Sequence, residues 1–323
     1  MTDTPSNAQR GATSREPFWA GYWRSLKPLE VEEPIDVWVH RPPAYVLARL
    51  LLPTPVSPNL ITVCSIVLGV TAGVCIVLPF QHHLPWAGGL VFASAVFDCA
   101  DGQLARLRRS SSPFGRMLDG IADLTVSTVV VAGSAYLILR KFWQPHWLLG
   151  IVALLTLLTI VTSSFHTTMY DQYKNVFLRL THPSYRDGED FDTAERRYLA
   201  ESQKRTPFMR FAWAIYFFFL RSQRDYVQKF DPYCDTRFSE YPPFNEQHAT
   251  LYRRYAGSLM RVWRTWFGFG SMVFGLALSI AFDVTEYYLL IRLVLLNAVF
   301  YGYLRPRQRI ASERTFREIA SPA

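Results

Sequence analysis

The sequence predicts an all-α polytopic membrane protein: six transmembrane helices preceded by an N-terminal interfacial amphipathic helix. Three observations predict it. Half of the 323 residues are hydrophobic, 15% are aromatic and only 19% are charged, against about 25% charged in an average soluble chain. The mean hydropathy is only +0.07, yet the apolar residues gather in blocks long enough to cross a bilayer of about 30 Å, which takes about 20 residues each. The basic residues, in turn, collect in the polar segments that a six-span topology puts on one side. A simple soluble enzyme is excluded. So is an unfolded chain, because far more apolar surface is available for burial than a disordered segment carries.

The elements follow in order. Residues 1–16 are polar and expected to be disordered, and the N-terminal segment holds no apolar core of a signal peptide. Residues 17–58 mix aromatics with Arg, Pro and short apolar runs, as in FWAGYWRSLK and VWVHRPPAYVLARLLL; Trp, Tyr and Arg together suit an interfacial amphipathic segment. The run PVSPN (55–59) breaks the chain, and Asn59 can cap the helix that follows. Spans are expected near 60–80, 85–105, 116–139 and 147–169, within a unit 59–170, and near 259–282 and 286–304, within a unit 259–304. Between the units lies a polar insert, 171–258. Its aromatic run FMRFAWAIYFFFL (208–220) is short for a span and reads as an interfacial or re-entrant helix. A tail, 305–323, ends the chain.

The net charge is +8, from 34 Lys and Arg against 26 Asp and Glu. All of these bases except Arg140, Lys141, Arg261, Arg264 and Arg292 fall in segments sharing one side of a six-span topology. That bias puts both termini in the cytoplasm, and it assigns the basic excess to membrane topology rather than to nucleic acid. Cys64, Cys75, Cys99 and Cys234 show no metal or disulfide spacing and are expected to be buried free thiols.

The most informative charges are acidic. The stretch 98–123 reads DCADGQLARLRRSSSPFGRMLDGIAD. It covers the end of the second expected span, a short basic loop and the start of the third. Asp98 and Asp101 share one helix face at i, i+3; Asp119 and Asp123 share another at i, i+4. A short loop makes the two helices antiparallel neighbours, so the four carboxylates can converge. Four acids in a partly desolvated place must take up protons or bind cations. Oxygen ligands select hard cations, Mg²⁺ or Mn²⁺, and two such ions could hold a phosphate-ester centre during displacement. Gly102, Ala105 and Gly115 would let a ligand approach the backbone, and Arg106 can pair with phosphate. Carboxylates at span ends, rather than mid-span, favour a site facing cytosolic substrates over a cation-coupled transporter.

These residues resemble the CDP-alcohol phosphotransferases, whose signature is D-x2-D-G-x2-A-R-x8-G-x3-D-x3-D. The chain matches it at Asp98, Asp101, Gly102, Ala105, Arg106, Gly115, Asp119 and Asp123. SPNLIT (57–62) resembles the family's entry to its first span, and the last two spans match only in general character. The resemblance implies six transmembrane helices behind an interfacial helix, usually in a homodimer, in the bacterial inner membrane or its equivalent with the active site cytoplasmic. It implies transfer of a substituted phosphate from a CDP-linked donor to a hydroxyl, releasing CMP, with two Mg²⁺ or Mn²⁺ ions. By that carry-over Asp98, Asp101 and Asp119 are metal ligands, and Asp123 is both ligand and general base. Gly102, Ala105, Gly115 and Arg106 would flank the cytidine nucleotide. Asn59 and Thr62 are further candidates for the nucleotide pocket, with helix capping as the other reading.

Two substrate assignments follow from the resemblance: CDP-diacylglycerol with a small alcohol, which is favoured, or a soluble CDP-headgroup with a lipid or polyol acceptor. A catalytically inactive scaffold is the third reading. Acceptor binding is assigned to Arg116, Lys174 and Arg292, with Arg261, Arg264 and Arg305 as further cations; interfacial snorkelling is the competing explanation for each. Arg292 stands out, because it lies inside the sixth expected span, where charge is costly. The insert's acidic run Asp187, Glu189, Asp190 and Asp192 is expected to be a solvated surface, and the scattered His166, His182 and His248 are expected to be packed or solvated.

Overall fold

The structure is a computed structural model that describes residues 17–110, 113–143, 145–183, 190–200, 206–234, 237, 241 and 243–320. Every regular element among them is helical. Two short helices, α1 (Phe18–Ser25) and α2 (Arg41–Leu51), precede the long helices α3 (Pro58–Val77), α4 (His83–Arg108), α5 (Pro113–Lys141) and α6 (His146–Thr181). Helices α7 (Phe191–Ala200) and α8 (Pro207–Phe230) form the insert, followed by α9 (Glu246–Val262) and α10 (Phe269–Ala281). The last helix, α11 (Thr285–Ile319), alternates α-helical stretches with π-helical turns at Arg292–Leu296 and Phe300–Leu304. The expected disordered segment 1–16 lies outside the described residues.

Among the described residues, four helices are long and apolar enough to cross a membrane: Pro58–Val77, Met117–Lys141, His146–Thr181 and Thr285–Ile319. The second and fifth expected spans fall short, for different reasons. Helix α4 has the length, at 26 residues, or about 39 Å. Its C-terminal half, however, carries Asp98, Asp101, Arg106 and Arg108. The fifth is broken: after α9 and a π-turn, Gly268 turns extended (φ −70°, ψ 157°), leaving α10 with 13 residues, about 20 Å.

The N-terminal segment is docked on the protein. Tyr22, Ser25, His40, Ala44, Tyr45 and Ala48 are buried, while Trp19, Trp38 and Leu50 are exposed. Cross-links hold it. Tyr170 donates to the Val31 carbonyl at 2.7 Å. Arg264 donates to the carbonyls of Leu29 and Glu32 at 2.6 and 3.0 Å. Glu33 caps the start of α10, accepting from the Ser271 N–H at 2.8 Å.

Helices α3, α4, α5 and α10 share one core, built on Ala72, Ile76, Val91, Val130 and Leu276. Gly88 of α4 permits its close approach to α10, since a Cβ there would overlap the Ala277 carbonyl oxygen. Helix α4 ends on Arg109 in the left-handed region (φ 52°, ψ 36°). Just before it, the Arg108 guanidinium donates to the carbonyls of Leu51 and Thr54 at 2.6 and 2.7 Å, and also to that of Val56. It thereby fixes the α2–α3 linker to the acid-bearing end of α4.

Helix α6 has 36 residues, about 54 Å, so it outruns a bilayer and carries its last turns into the insert. There Tyr173 and Phe177 pack with Tyr252, Trp263 and Phe300 in a second core. The aromatic run 208–220 is part of a longer helix, the 24-residue α8, which starts at a Thr206 cap and Pro207. It buries Trp213 and Leu220 and exposes Phe211 and Phe218. Two expectations are corrected. Asp190 is buried, not solvated, because its carboxylate accepts from the Thr193 N–H at 2.8 Å and caps α7; Asp187 and Glu189 lie outside the described residues. Of the four free thiols only Cys234 is fully buried. His166 is packed, as expected, and His182 pairs with Glu30 at 2.7 Å.

Candidate active site

The antiparallel ends of α4 and α5 bring the acids together. Asp98, Asp101 and Asp119 each place a carboxylate oxygen within 4.8 Å of the others. Asp123, one turn beyond Asp119, lies outside that group but lines the same cavity as Asp101 and Asp119. The cavity holds about 1810 Å³, larger than the 300–1,000 Å³ usual for one small ligand. Three clustered carboxylates with oxygen-only donors fit a hard divalent cation. A bound cation would offset the mutual repulsion of three carboxylates held this close together.

Thr62 of α3 donates to Asp101 Oδ2 at 2.5 Å, with Thr62 and Asp101 only 4% and 6% exposed. The sequence left Thr62 between a cap and a pocket residue; in the structure it lines the cavity and its hydroxyl is bonded to Asp101. Asn59 is not the cap. Ser57 caps α3, accepting from the Leu60 N–H at 3.3 Å with Pro58 as the first helical residue, and Asn59 lines the cavity instead. Gly102, Ala105, Arg106 and Gly115 also line it. Arg106 does a second job, its Nε donating to the Ser25 carbonyl at 2.8 Å and tying α1 to the site.

The chain matches the CDP-alcohol phosphatidyltransferase family over residues 55–226, more than half of its length. It belongs to that family. Among curated proteins it is similar to a phosphatidylinositol phosphate synthase of Corynebacterium glutamicum, 31% identical over 114 residues, covering 34% of this chain and 51% of that enzyme. A bifunctional IPC transferase and DIPP synthase of Thermococcus kodakarensis is 34% identical over 149 residues, covering 44% of this chain and 32% of the relative. A CDP-diacylglycerol–glycerol-3-phosphate 3-phosphatidyltransferase of Cereibacter sphaeroides is 37% identical over 83 residues, covering 24% and 36%. The chain thus spans about half, or less, of the length of these relatives.

In this member of the CDP-alcohol phosphatidyltransferase family, Lys174 and Arg292 line the cavity, whereas Arg261, Arg264 and Arg305 do not. Arg264 is committed to the N-terminal segment, and Arg305 lies over the Phe230 ring at 5.2 Å. The Arg116 side chain lies outside the described residues. Lys174 is paired with Asp171 at 2.5 Å, and Gln223 of α8 donates to the other Asp171 oxygen at 2.8 Å.

Sequence reasoning missed Lys27. It follows α1 in the chain, and its backbone N–H is held by Glu32 at 2.7 Å. Its side chain lines the cavity in the field of Asp119. Burial, then the neighbouring charges of Lys174 and Arg106, hold its ammonium down at about 8. The available signal was an isolated Lys between an aromatic helix and the acidic run LEVEEP. Such a residue reads as snorkelling at an interface until the fold places it.

Proposed function

We propose that the protein is a membrane-embedded phosphotransferase. It moves a substituted phosphate from a CDP-linked donor, with CDP-diacylglycerol favoured, to an alcohol hydroxyl, releasing CMP in phospholipid biosynthesis. The observation that carries this reading is the convergence of Asp98, Asp101 and Asp119 within 4.8 Å beside a cavity that Asp123 also lines. In this reading Asp98, Asp101 and Asp119 hold Mg²⁺ or Mn²⁺, with Asp123 completing the set. The bound ions would neutralise phosphate charge and stabilise the departing CMP. Thr62 keeps the Asp101 carboxylate in one orientation. Arg106 and Lys27 offer cations to the phosphates, and Asn59, Gly102, Ala105 and Gly115 border the nucleotide. Asp123 takes the acceptor's proton as the acceptor oxygen bonds to phosphorus and the phosphoanhydride bond to CMP breaks, its electron pair leaving with CMP. The volume of about 1810 Å³ supports simultaneous occupancy by donor and acceptor.

The topology belongs to the same proposal. Helices α4 and α10, packed within the core of α3 and α5, complete six spans. Both termini and the aspartates face the cytoplasm, α1 and α2 lie at the interface, and a second copy completes a homodimer.

The test is CMP release by purified protein with Mn²⁺, comparing CDP-diacylglycerol with CDP-choline, CDP-ethanolamine and CDP-inositol across an acceptor panel. Release from CDP-diacylglycerol alone is expected. Release from a soluble CDP-headgroup would move the assignment to that donor class, and no release with any pair would leave the scaffold reading.

A further inference from the structure

Helix α8 is apolar on more faces than its own packing uses. Its centre, residues 211–220, reads FAWAIYFFFL and holds no charged side chain. One face is buried: Trp213 and Leu220 pack in a cluster with Ala194 of α7 and Met117 of α5. Farther along, Gln223 docks the helix on Asp171 of α6. A second stripe, Phe211, Ile215, Phe218 and Phe219, follows helical spacing and borders the large cavity. Phe218 is 74% exposed and Phe211 62%. On α5, Leu124 is likewise both exposed and part of the cavity wall. Residues that line a cavity and are also exposed mark where it opens, and this rim is aromatic and aliphatic. Set on α5 and α6, two helices apolar enough to span a membrane, such a rim faces lipid rather than water.

The interior is shaped to match. The cavity follows α5 from Asp119 to Ser134, about 22 Å along the helix, against about 15 Å for one leaflet's share of the hydrocarbon core. The hydroxyls on this wall are spent on their own helices. Ser127 donates to the Asp123 carbonyl at 2.5 Å, Ser134 to that of Val130 at 2.8 Å and Thr159 to that of Leu155 at 2.8 Å. The wall therefore presents mainly carbon to its contents. A small polar alcohol needs neither this depth nor the aromatic stripe of α8.

We infer that the acceptor is itself a membrane lipid with a free hydroxyl, and that the Phe211, Ile215 and Phe218 stripe of α8 holds its chain beside Asp123. This rests on the phosphotransferase reading and adds the class of acceptor to it. The residues assigned to the nucleotide, Asn59, Gly102 and Ala105, lie on α3 and α4, and the channel along α5 takes the chains of the donor. Displacement at phosphorus is in line, so the acceptor enters opposite the departing CMP. That side is the one Asp123 and Leu124 share with α8, which packs on α5 and α6. The acceptor oxygen bonds to the donor's phosphorus, the phosphoanhydride bond breaks with its electron pair leaving on CMP, and the acceptor's proton goes to Asp123. The product is a phosphodiester with lipid chains on both sides.

The test uses the full chain in nanodiscs of phosphatidylcholine, which has no free hydroxyl, with CDP-diacylglycerol and Mn²⁺, and follows CMP release. Phosphatidylglycerol and diacylglycerol serve as lipid acceptors, and glycerol 3-phosphate, serine and inositol phosphate as soluble ones. Glycerophosphoglycerol and glycerol, the same two lipids without their chains, are the matched controls. CMP release is expected with a lipid acceptor and not with its chain-free counterpart. Phe211→Ser and Phe218→Ser should each raise KM for that lipid about tenfold, while KM for the donor stays within about twofold. If neither variant folds, the wild type still decides, because its KM must fall as the acceptor's chains lengthen from hexanoyl to oleoyl. A wild-type preference for a soluble acceptor, equal use of a lipid and its chain-free counterpart, an unchanged KM in both variants, or an equal rise for donor and acceptor overturns the lipid acceptor and leaves the phosphotransferase reading standing. A wild type that releases no CMP with any acceptor refutes that reading itself, and the inference falls with it.

Discussion

The bond from Thr62 to Asp101 offers a sharp test of how the site is held. Thr62→Val keeps the shape and removes only the hydroxyl. Of the two acceptors within reach of that hydroxyl, Asp101 Oδ2 at 2.5 Å is closer than the Pro58 carbonyl at 3.2 Å. Both side chains are nearly inaccessible, at 4% and 6%, so water cannot replace the lost donor. A hydrogen bond to a charged group contributes about 1.5–3 kcal/mol, and about 1.4 kcal/mol is a tenfold change in an equilibrium constant. Loss of the partner that orients a metal ligand accordingly lowers metal affinity about 10- to 100-fold. The assay is CMP release titrated with Mn²⁺. Thr62→Val should shift the half-saturating Mn²⁺ upward by that factor and regain most of its kcat at saturating metal; Thr62→Ser should behave as wild type. A Thr62→Val titration that overlays the wild type, or a Thr62→Ser variant as impaired as Thr62→Val, would refute the reasoning.

Three further outcomes are expected. Lys27→Met should raise KM for the CDP donor about tenfold, by loss of one charge-assisted contact, whereas Lys27→Arg should retain most affinity; equal KM values for Lys27→Met and wild type would remove Lys27 from the site. Gly88→Ala should lower stability by about 1–3 kcal/mol through overlap with the Ala277 carbonyl, while Gly89→Ala, which meets nothing within 4 Å, should be neutral in thermal unfolding; matching melting curves for the two variants would contradict this. Burial pushes the Asp231 carboxyl from 3.8 up to about 6, against the hydrogen bonds from Ser312 and Tyr173. Between those values the folded state binds more protons than the unfolded one, so stability falls by about 3 kcal/mol as pH rises from about 4 to 6 and stays lower above. Denaturant unfolding of Asp231→Asn across that range should lack this fall, and parallel pH curves for variant and wild type would exclude it.

The sequence made the acidic constellation legible because its chemistry is local. Two helix-spaced Asp pairs across a short loop have few other ways to pack, and the structure brings Asp98, Asp101 and Asp119 together. The glycines and Arg106 border the same cavity. What the sequence could not show depends on contacts between distant segments. Lys27 and Asp101 receive their partners from Glu32 and Thr62, and nothing in the local pattern around Ser57 and Asn59 decides which one caps α3. Hydropathy also misjudged continuity. The apolar run 259–282 is interrupted at Gly268, where Glu33 from the N-terminal segment caps a new helix. Nor could it show that the insert is entered by an unbroken continuation of α6, or that the tail after residue 304 continues α11 as a helix that buries Gln308, Ser312 and Thr315.

The central claim, that four aspartates on α4 and α5 run a CMP-releasing transfer, is tested most directly by one variant. Asp123→Asn removes the proposed base and spares the three-carboxylate cluster. With Mn²⁺ and CDP-diacylglycerol, the variant should bind the donor with near-wild-type affinity and release no CMP above background. CMP release from Asp123→Asn at the wild-type rate would contradict the account.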